Sequence, residues 1–276
     1  MSTLYLVATP IGNLEDISQR ALRILGEVRL IAAEDTRHTR KLLTHFDIRT
    51  PLTSYFEHNK REKLDEVVSA LEQGDVALVS DAGTPGLNDP GYLLVRAALE
   101  AGHQISPIPG PSAPIAALVV SGLPTDQFLY LGYLPRKSSE RRRFIAEAAD
   151  SPYTLIFLET PHRLLPALGD LQAELGDRQI AIACELTKMF EQVFRGSLRQ
   201  AQAFYQEQPA RGEFTLVVAG AEEEQARWSQ DEVMETLQAH LAQGEAPSQI
   251  AKSVAAESGW PRRRLYDLLT EMQANQ

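Results

Sequence analysis

Val76-Ala77-Leu78-Val79-Ser80, followed at once by Asp81-Ala82-Gly83-Thr84-Pro85-Gly86, decides the fold of this chain. The apolar run shows no alternation with polar residues. It therefore reads as a strand buried on both faces, the kind that parallel sheets contain. The Gly- and Pro-bearing turn then ends it. The arrangement recurs on either side. Leu4-Tyr5-Leu6-Val7-Ala8 runs into Thr9-Pro10-Ile11-Gly12-Asn13, and Ile105-Ser106-Pro107-Ile108 runs into Pro109-Gly110-Pro111-Ser112-Ala113. Open α/β sheets bind ligands at the carboxyl ends of their strands. Glycine-bearing turns at three such ends point to one cleft where backbone approaches a small molecule.

Helical spacing fills the intervals. Ile17, Ala21, Leu22, Leu25 and Val28 mark one helix, and Leu64, Val67, Val68 and Leu71 another, stopped by Gly74. Arg29 to Ala33 reads as a strand ending at Glu34-Asp35-Thr36, Arg40 to Phe46 as a short helix, and Tyr92 to Ala101 as a longer one. Strand–helix alternation of this kind means βαβ units and a parallel sheet. Gly122-Leu123-Pro124-Thr125 interrupts it. Beyond lie further strands at Phe128–Leu131, Thr154–Leu158, Ile180–Ala183, Phe190–Arg195 and Phe214–Ala219, so closely spaced at the end that a mixed sheet is expected. Glu222-Glu223-Glu224-Gln225 reads as a linker. After it, helices open at Ser248 and Pro261, with Gly259 between them, in a pattern like a helix-turn-helix. The expected domains are 1–121, 122–221 and 222–276.

The sequence excludes several chemistries. No turn reads G-x-x-x-x-G-K-[ST], and none carries a G-x-G-x-x-G dinucleotide fingerprint. Cys184 is the single cysteine, so an intrachain disulfide is ruled out. The six histidines lack H-E-x-x-H spacing, and no metal site is expected. Met1-Ser2-Thr3 leads straight into a strand without a signal-peptide pattern, and the apolar runs are too short for a bilayer. A cytoplasmic protein is expected. The formal net charge is −10, yet cations cluster locally: Arg37, His38, Arg40 and Lys41; Arg136, Lys137, Arg141, Arg142 and Arg143; and Arg262, Arg263 and Arg264. Such patches steer a polyanion to one place on an otherwise acidic protein.

The stretches Leu4–Leu14, Ala33–Arg40, Ser80–Gly91, Pro109–Ala113, Phe157–Arg163 and Glu185–Lys188 resemble the tetrapyrrole methylase superfamily. Its members are S-adenosylmethionine-dependent methyltransferases with two α/β domains and the cofactor between them. Within it the resemblance points to a branch that methylates 16S rRNA, which implies methylation of the ribose 2′-hydroxyl of a decoding-centre cytidine. The resemblance implies that Thr9, Pro10, Gly12, Asp81, Ala82, Gly83, Thr84, Ser112 and Ala113 line the cofactor from the first domain. Tyr133, Thr160, Pro161, Cys184, Glu185 and Phe214 would close on it from the second. It also implies a homodimer and, as partner, 16S rRNA or the small ribosomal subunit.

In-line transfer to a ribose hydroxyl needs close alignment and benefits from a base. Asp35, Glu159 and Glu185 are the candidate bases, each at a strand end, and Lys188 or Arg163 could stabilise developing oxygen charge or hold an RNA phosphate. Glu34, Asp35 and Arg37 read equally well as helix capping and charge pairing, and Cys184 as a small buried residue. Methylation of a corrin or porphyrin, and a non-enzymatic ribosome-binding role for a retained fold, are the alternatives.

Overall fold

A computed structural model of the chain describes residues 2–88, 91–208, 212–221, 228–243 and 245–274. They form two compact units, Met1–Gly220 and Ala221–Gln276.

The first unit opens with the expected alternation: β1 (Thr3–Val7), α1 (Gln19–Glu27), β2 (Leu30–Ala33), α2 (Thr36–His45), β3 (Leu52–Ser54), α3 (Lys60–Gln73), β4 (Val76–Val79), α4 (Gly91–Glu100) and β5 (Gln104–Ile108). The strands make an all-parallel sheet in the order β3-β2-β4-β1-β5. β4 lies inside it with every residue buried, which accounts for its uniformly apolar sequence. On one face α1 buries Ala21, Ile24 and Leu25 against Val7, Ile31 and Val79; on the other α3 and α4 bury Val67, Leu71, Leu94 and Ala98 against Leu4 and Leu78. The sequence reading missed β3, a three-residue edge strand too short to show a pattern. It also started α2 too late, because Asp35 caps that helix ahead of its first apolar residue. β2 leads outward to β3, while β4 leads across β1 to β5. The loops leaving these two neighbours diverge, which opens the crevice where such sheets hold ligands.

α5 (Ala113–Ser121), β6 (Phe128–Tyr133), α6 (Ser138–Ala146), β7 (Thr154–Glu159), α7 (Leu164–Leu175), β8 (Gln179–Cys184), β9 (Gln192–Ser197), α8 (Leu198–Glu207) and β10 (Phe214–Val218) follow. Their sheet, ordered β6-β7-β10-β8-β9, is mixed as expected: only β6 and β7 pair in parallel. α5 packs Ala117 and Leu118 against Ile156, Ala181, Ala183 and Val217 of this second sheet. The chain therefore crosses between sheets at Pro109–Ser112, ahead of the 121/122 boundary that the Gly122 turn suggests. Gly122 only ends α5, in the left-handed conformation at φ +79°.

The second unit holds α9 (Gln230–Ala242), α10 (Pro247–Ser258) and α11 (Arg262–Ala274) around Val233, Leu237, Ile250, Val254, Trp260, Leu265 and Leu269. Ser229 and Glu232 form a capping box at the start of α9. The acidic stretch from Glu222 to Gln225 lies outside the described residues. Among those described, no helix is long and apolar enough to cross a membrane.

Candidate active site

The glycine turns converge because they hydrogen-bond to one another. Thr9 and Gly83 exchange both backbone bonds, at 2.9 and 3.0 Å. Gly83 sits at φ +80°, where a side chain would be strained. The Thr84 hydroxyl donates to the Pro111 carbonyl at 3.1 Å, tying the second turn to the third. The turn after β4 also meets the turn after β2. The Asp35 N–H donates to Asp81 Oδ1 at 3.0 Å, and the Asp81 N–H donates to Glu34 Oε2 at 3.2 Å.

The second sheet closes on these turns. A register shift between Tyr130 and Gly132 lets β6 bulge, with Gly132 at φ +68°. Asn88 fills the space at Gly132, where a Cβ would come within 2.8 Å of its Oδ1, and its amide donates to the Tyr130 hydroxyl. After β8, Glu185 and Thr187 take positive φ of 51° and 65°. Such backbone is costly for a β-branched residue and persists only where its surroundings enforce it. Gly12 presses on this segment: a Cβ there would lie 2.9 Å from the Leu186 carbonyl oxygen.

Between the sheets lies a cleft of about 300 Å³. Glu34, Asp81, Glu185 and Glu213 bring carboxylates to its wall, against Lys188, whose Nζ pairs with Glu185 Oε1 at 2.8 Å. A cleft so lined attracts cations and repels phosphates. α5 opens into it through Ser112 and Ala113, and its first-turn N–H groups supply a local positive end for a carboxylate. Burial, then the nearby charge of Glu213, pushes the Tyr133 phenol up to about 12; as a neutral phenol it can donate.

The structure brings Asp81, Ala82, Gly83, Thr84, Ser112, Ala113, Tyr133, Glu185, Lys188 and Phe214 to this wall. Thr9 and Pro10 line a neighbouring pocket instead. Gly12 packs on the 186–188 segment, and Thr160 and Pro161 lie off the wall, the Thr160 N–H donating to Glu159 Oε1 at 2.8 Å. Cys184 is packed in the core of the second sheet, where burial raises its thiol pKa. Asp35 caps α2, and the Arg37 guanidinium and N–H hold its carboxyl well below the usual carboxylate range. So weak a base does not suit proton abstraction. Glu159 is fully buried and bound to Arg163 at 3.0 Å, and Arg163 also donates to the Leu134 and Pro135 carbonyls. Both belong to the framework behind Tyr133 and not to the cleft. Glu34, which the sequence placed beside Asp35 as helix cap or catalytic group, stands at the wall; Asn88, Tyr130 and Glu213 were missed, and none of the three carried a local signal.

The expected phosphate ligands divide likewise. Arg141 is 4% exposed, pairs with Asp170 at 2.6 Å and donates to the Pro135 and Arg136 carbonyls, which removes it from any surface patch. Arg142 is half-exposed and held by Glu174. Arg37 is held by Asp35. Arg40, Arg136 and Arg143 are exposed, as is Lys137, which pairs with Glu140 at 3.0 Å. In the second unit Arg262, Arg263 and Arg264 are exposed, Arg264 lying over the Trp260 ring.

Two five-stranded sheets meet at an acidic cleft floored by the glycine turns. The tetrapyrrole (corrin/porphyrin) methylase family matches residues 3–202, and the chain belongs to it. Over its whole length the chain is similar to proteins named ribosomal RNA small subunit methyltransferase I. It is 48% identical to that of Synechocystis sp. (strain ATCC 27184 / PCC 6803 / Kazusa), covering 100% of both chains. It is 45% identical to that of Halalkalibacterium halodurans, covering 96% of this chain and 94% of the relative. Among solved structures, uroporphyrin-III-C-methyltransferase from Thermus thermophilus shares the fold, with a TM-score of 0.55 at 20% identity, covering 79% of this chain and 94% of that one.

Proposed function

We propose that this chain is an S-adenosylmethionine-dependent methyltransferase of 16S rRNA, acting on the ribose 2′-hydroxyl of a decoding-centre cytidine. The observation that carries the reading is the whole-length similarity to proteins named for small-subunit rRNA methylation. The cleft agrees with the donor. When bound, S-adenosylmethionine supplies a methyl group activated on a sulfonium cation. Glu34, Asp81, Glu185 and Glu213 suit that cation and its ammonium group, and the start of α5 suits its carboxylate.

Rate then depends on alignment of acceptor and donor. Tyr133, as a neutral phenol, offers a hydrogen bond at the cleft mouth. Of the five residues nominated from the sequence for the chemistry, Glu185 and Lys188 stand at the wall. Glu185 is the proposed acceptor of the hydroxyl proton, with Lys188 beside it to hold developing charge on oxygen. Arg136, Lys137, Arg143 and the Arg262–Arg264 cluster are proposed phosphate ligands. A cytoplasmic homodimer fits this role, with the exposed Val119 and Phe190 side chains as surface for a second copy to cover.

The test is transfer of labelled methyl to small subunits from cells lacking this chain. The reading predicts cofactor binding by calorimetry and label in 16S rRNA. Cofactor binding with transfer only to a porphyrin or corrin selects the tetrapyrrole reading. Subunit binding without cofactor binding selects a non-enzymatic role.

A further inference from the structure

A second hollow, of about 160 Å³, adjoins the cleft and shares Ser80 and Asp81 with it. Pro10, Leu14 and Leu42 give it apolar walls, the buried Thr9 and Thr39 contribute polar atoms, and His38 and Lys41 belong to its lining as well. Leu14 is 40% exposed, a large apolar side chain left facing the opening. Lys41 also lines a shallow groove along α2 with Arg37, Arg40, Thr44 and His45. Arg37 is held by Asp35, whereas neither Arg40 nor Lys41 joins an ion pair among the described residues.

The three hollows run from acidic to apolar to basic, each sharing a residue with the next. A nucleotide presented to a cationic donor has the same order: the reacting ribose, an apolar-faced base, and flanking phosphates. We propose that the Pro10–Leu14–Leu42 pocket receives the base of the nucleotide to be methylated, and that Arg40 and Lys41 hold the adjacent phosphates. This rests on the rRNA reading above. At about 160 Å³ the pocket is on the scale of a single pyrimidine ring, and a base that enters it leaves the stack of its neighbours. A flat ring finds apolar contact between Leu14 and Leu42, with the Thr39 hydroxyl at hand for its polar edge.

Leu14→Trp fills the pocket from a surface turn. Arg40→Ala combined with Lys41→Ala strips the groove. The assays are calorimetry with S-adenosylmethionine, methylation kinetics on small subunits, and rRNA binding across salt. Leu14→Trp is expected to keep cofactor affinity and melting temperature while kcat/KM for subunits falls at least about tenfold, the scale set by one base packed on a side chain. The double variant is expected to raise KM and to flatten the salt slope by about 0.7 for each phosphate no longer held. Leu14→Ala, which only removes a wall, is expected to shift KM in the same direction by less. Wild-type kcat/KM in Leu14→Trp, or an unchanged slope in the double variant, overturns the pocket assignment while leaving the rRNA reading intact. Absence of methyl transfer by the unmodified chain overturns both.

Discussion

Arg141→Ala separates a structural arginine from its RNA-facing neighbours. The guanidinium is almost wholly buried, binds Asp170 through two nitrogens at 2.6 and 2.7 Å, and donates twice to carbonyls of the 135–136 turn at 3.2 Å. Removing one partner of a buried pair costs about 3–5 kcal/mol, because the other charge stays behind without its mate. Asp170 keeps the Ser138 hydroxyl at 2.9 Å and is 16% exposed, which places the loss near the lower end, about 3 kcal/mol. For a unit of this size that lowers the melting temperature by about 6–12 °C. Denaturant and thermal unfolding measure it. Replacing the pair together, Arg141→Met with Asp170→Leu, should recover most of the loss. Arg143→Ala, exposed on the same helix, should leave stability unchanged and flatten the salt dependence of rRNA binding by about 0.7. An Arg141→Ala variant that melts like wild type and flattens the salt slope instead would overturn the assignment of Arg141 to the core.

Asp81→Ala removes the acceptor of the Asp35 N–H and one carboxylate of the cleft; cofactor affinity should weaken by about 1–3 kcal/mol, read by calorimetry, and unchanged affinity with a lower melting temperature would reduce Asp81 to a turn cap. The Asp35 carboxyl titrates lower in the folded chain than in the unfolded one. Its contribution to stability is present above the ordinary carboxylate range and is lost as pH falls below it. Asp35→Asn should therefore flatten the acid end of the stability profile, and an unaltered acid limb would contradict the Arg37 pairing. Val119→Asp with Phe190→Asp should convert the proposed dimer to monomer by light scattering; a wild-type chain already monomeric at working concentration removes that proposal. Chelation should leave cofactor binding and methyl transfer unaltered, since the sequence offers no metal-ligand spacing.

The parallel sheet and its ligand edge were legible because β1 and β4 are apolar runs, and each of β1, β4 and β5 is stopped by a Gly- and Pro-bearing turn, a local signal. The crossing between sheets was not, because nothing local tells whether α5 packs forward or back; its Ala117 and Leu118 find partners more than thirty residues downstream. Asn88 and Gly132 became a site pair only through the bulge in β6. Glu213 reached the wall only because β10 enters the middle of its sheet. Arg141 and Arg143 look alike in sequence, yet helical phase separates them. Arg141 stands four residues before the buried Ile145 and shares its face, a spacing that could have revealed its burial.

Mass spectrometry of 16S rRNA fragments from cells with and without this chain, which maps each methyl to its nucleotide and to ribose or base, decides whether it methylates a decoding-centre ribose. One ribose-methylated cytidine in the decoding centre should disappear on deletion and return when the chain is restored. An unchanged methylation map, or a lost methyl that proves to sit on a base, would contradict that function.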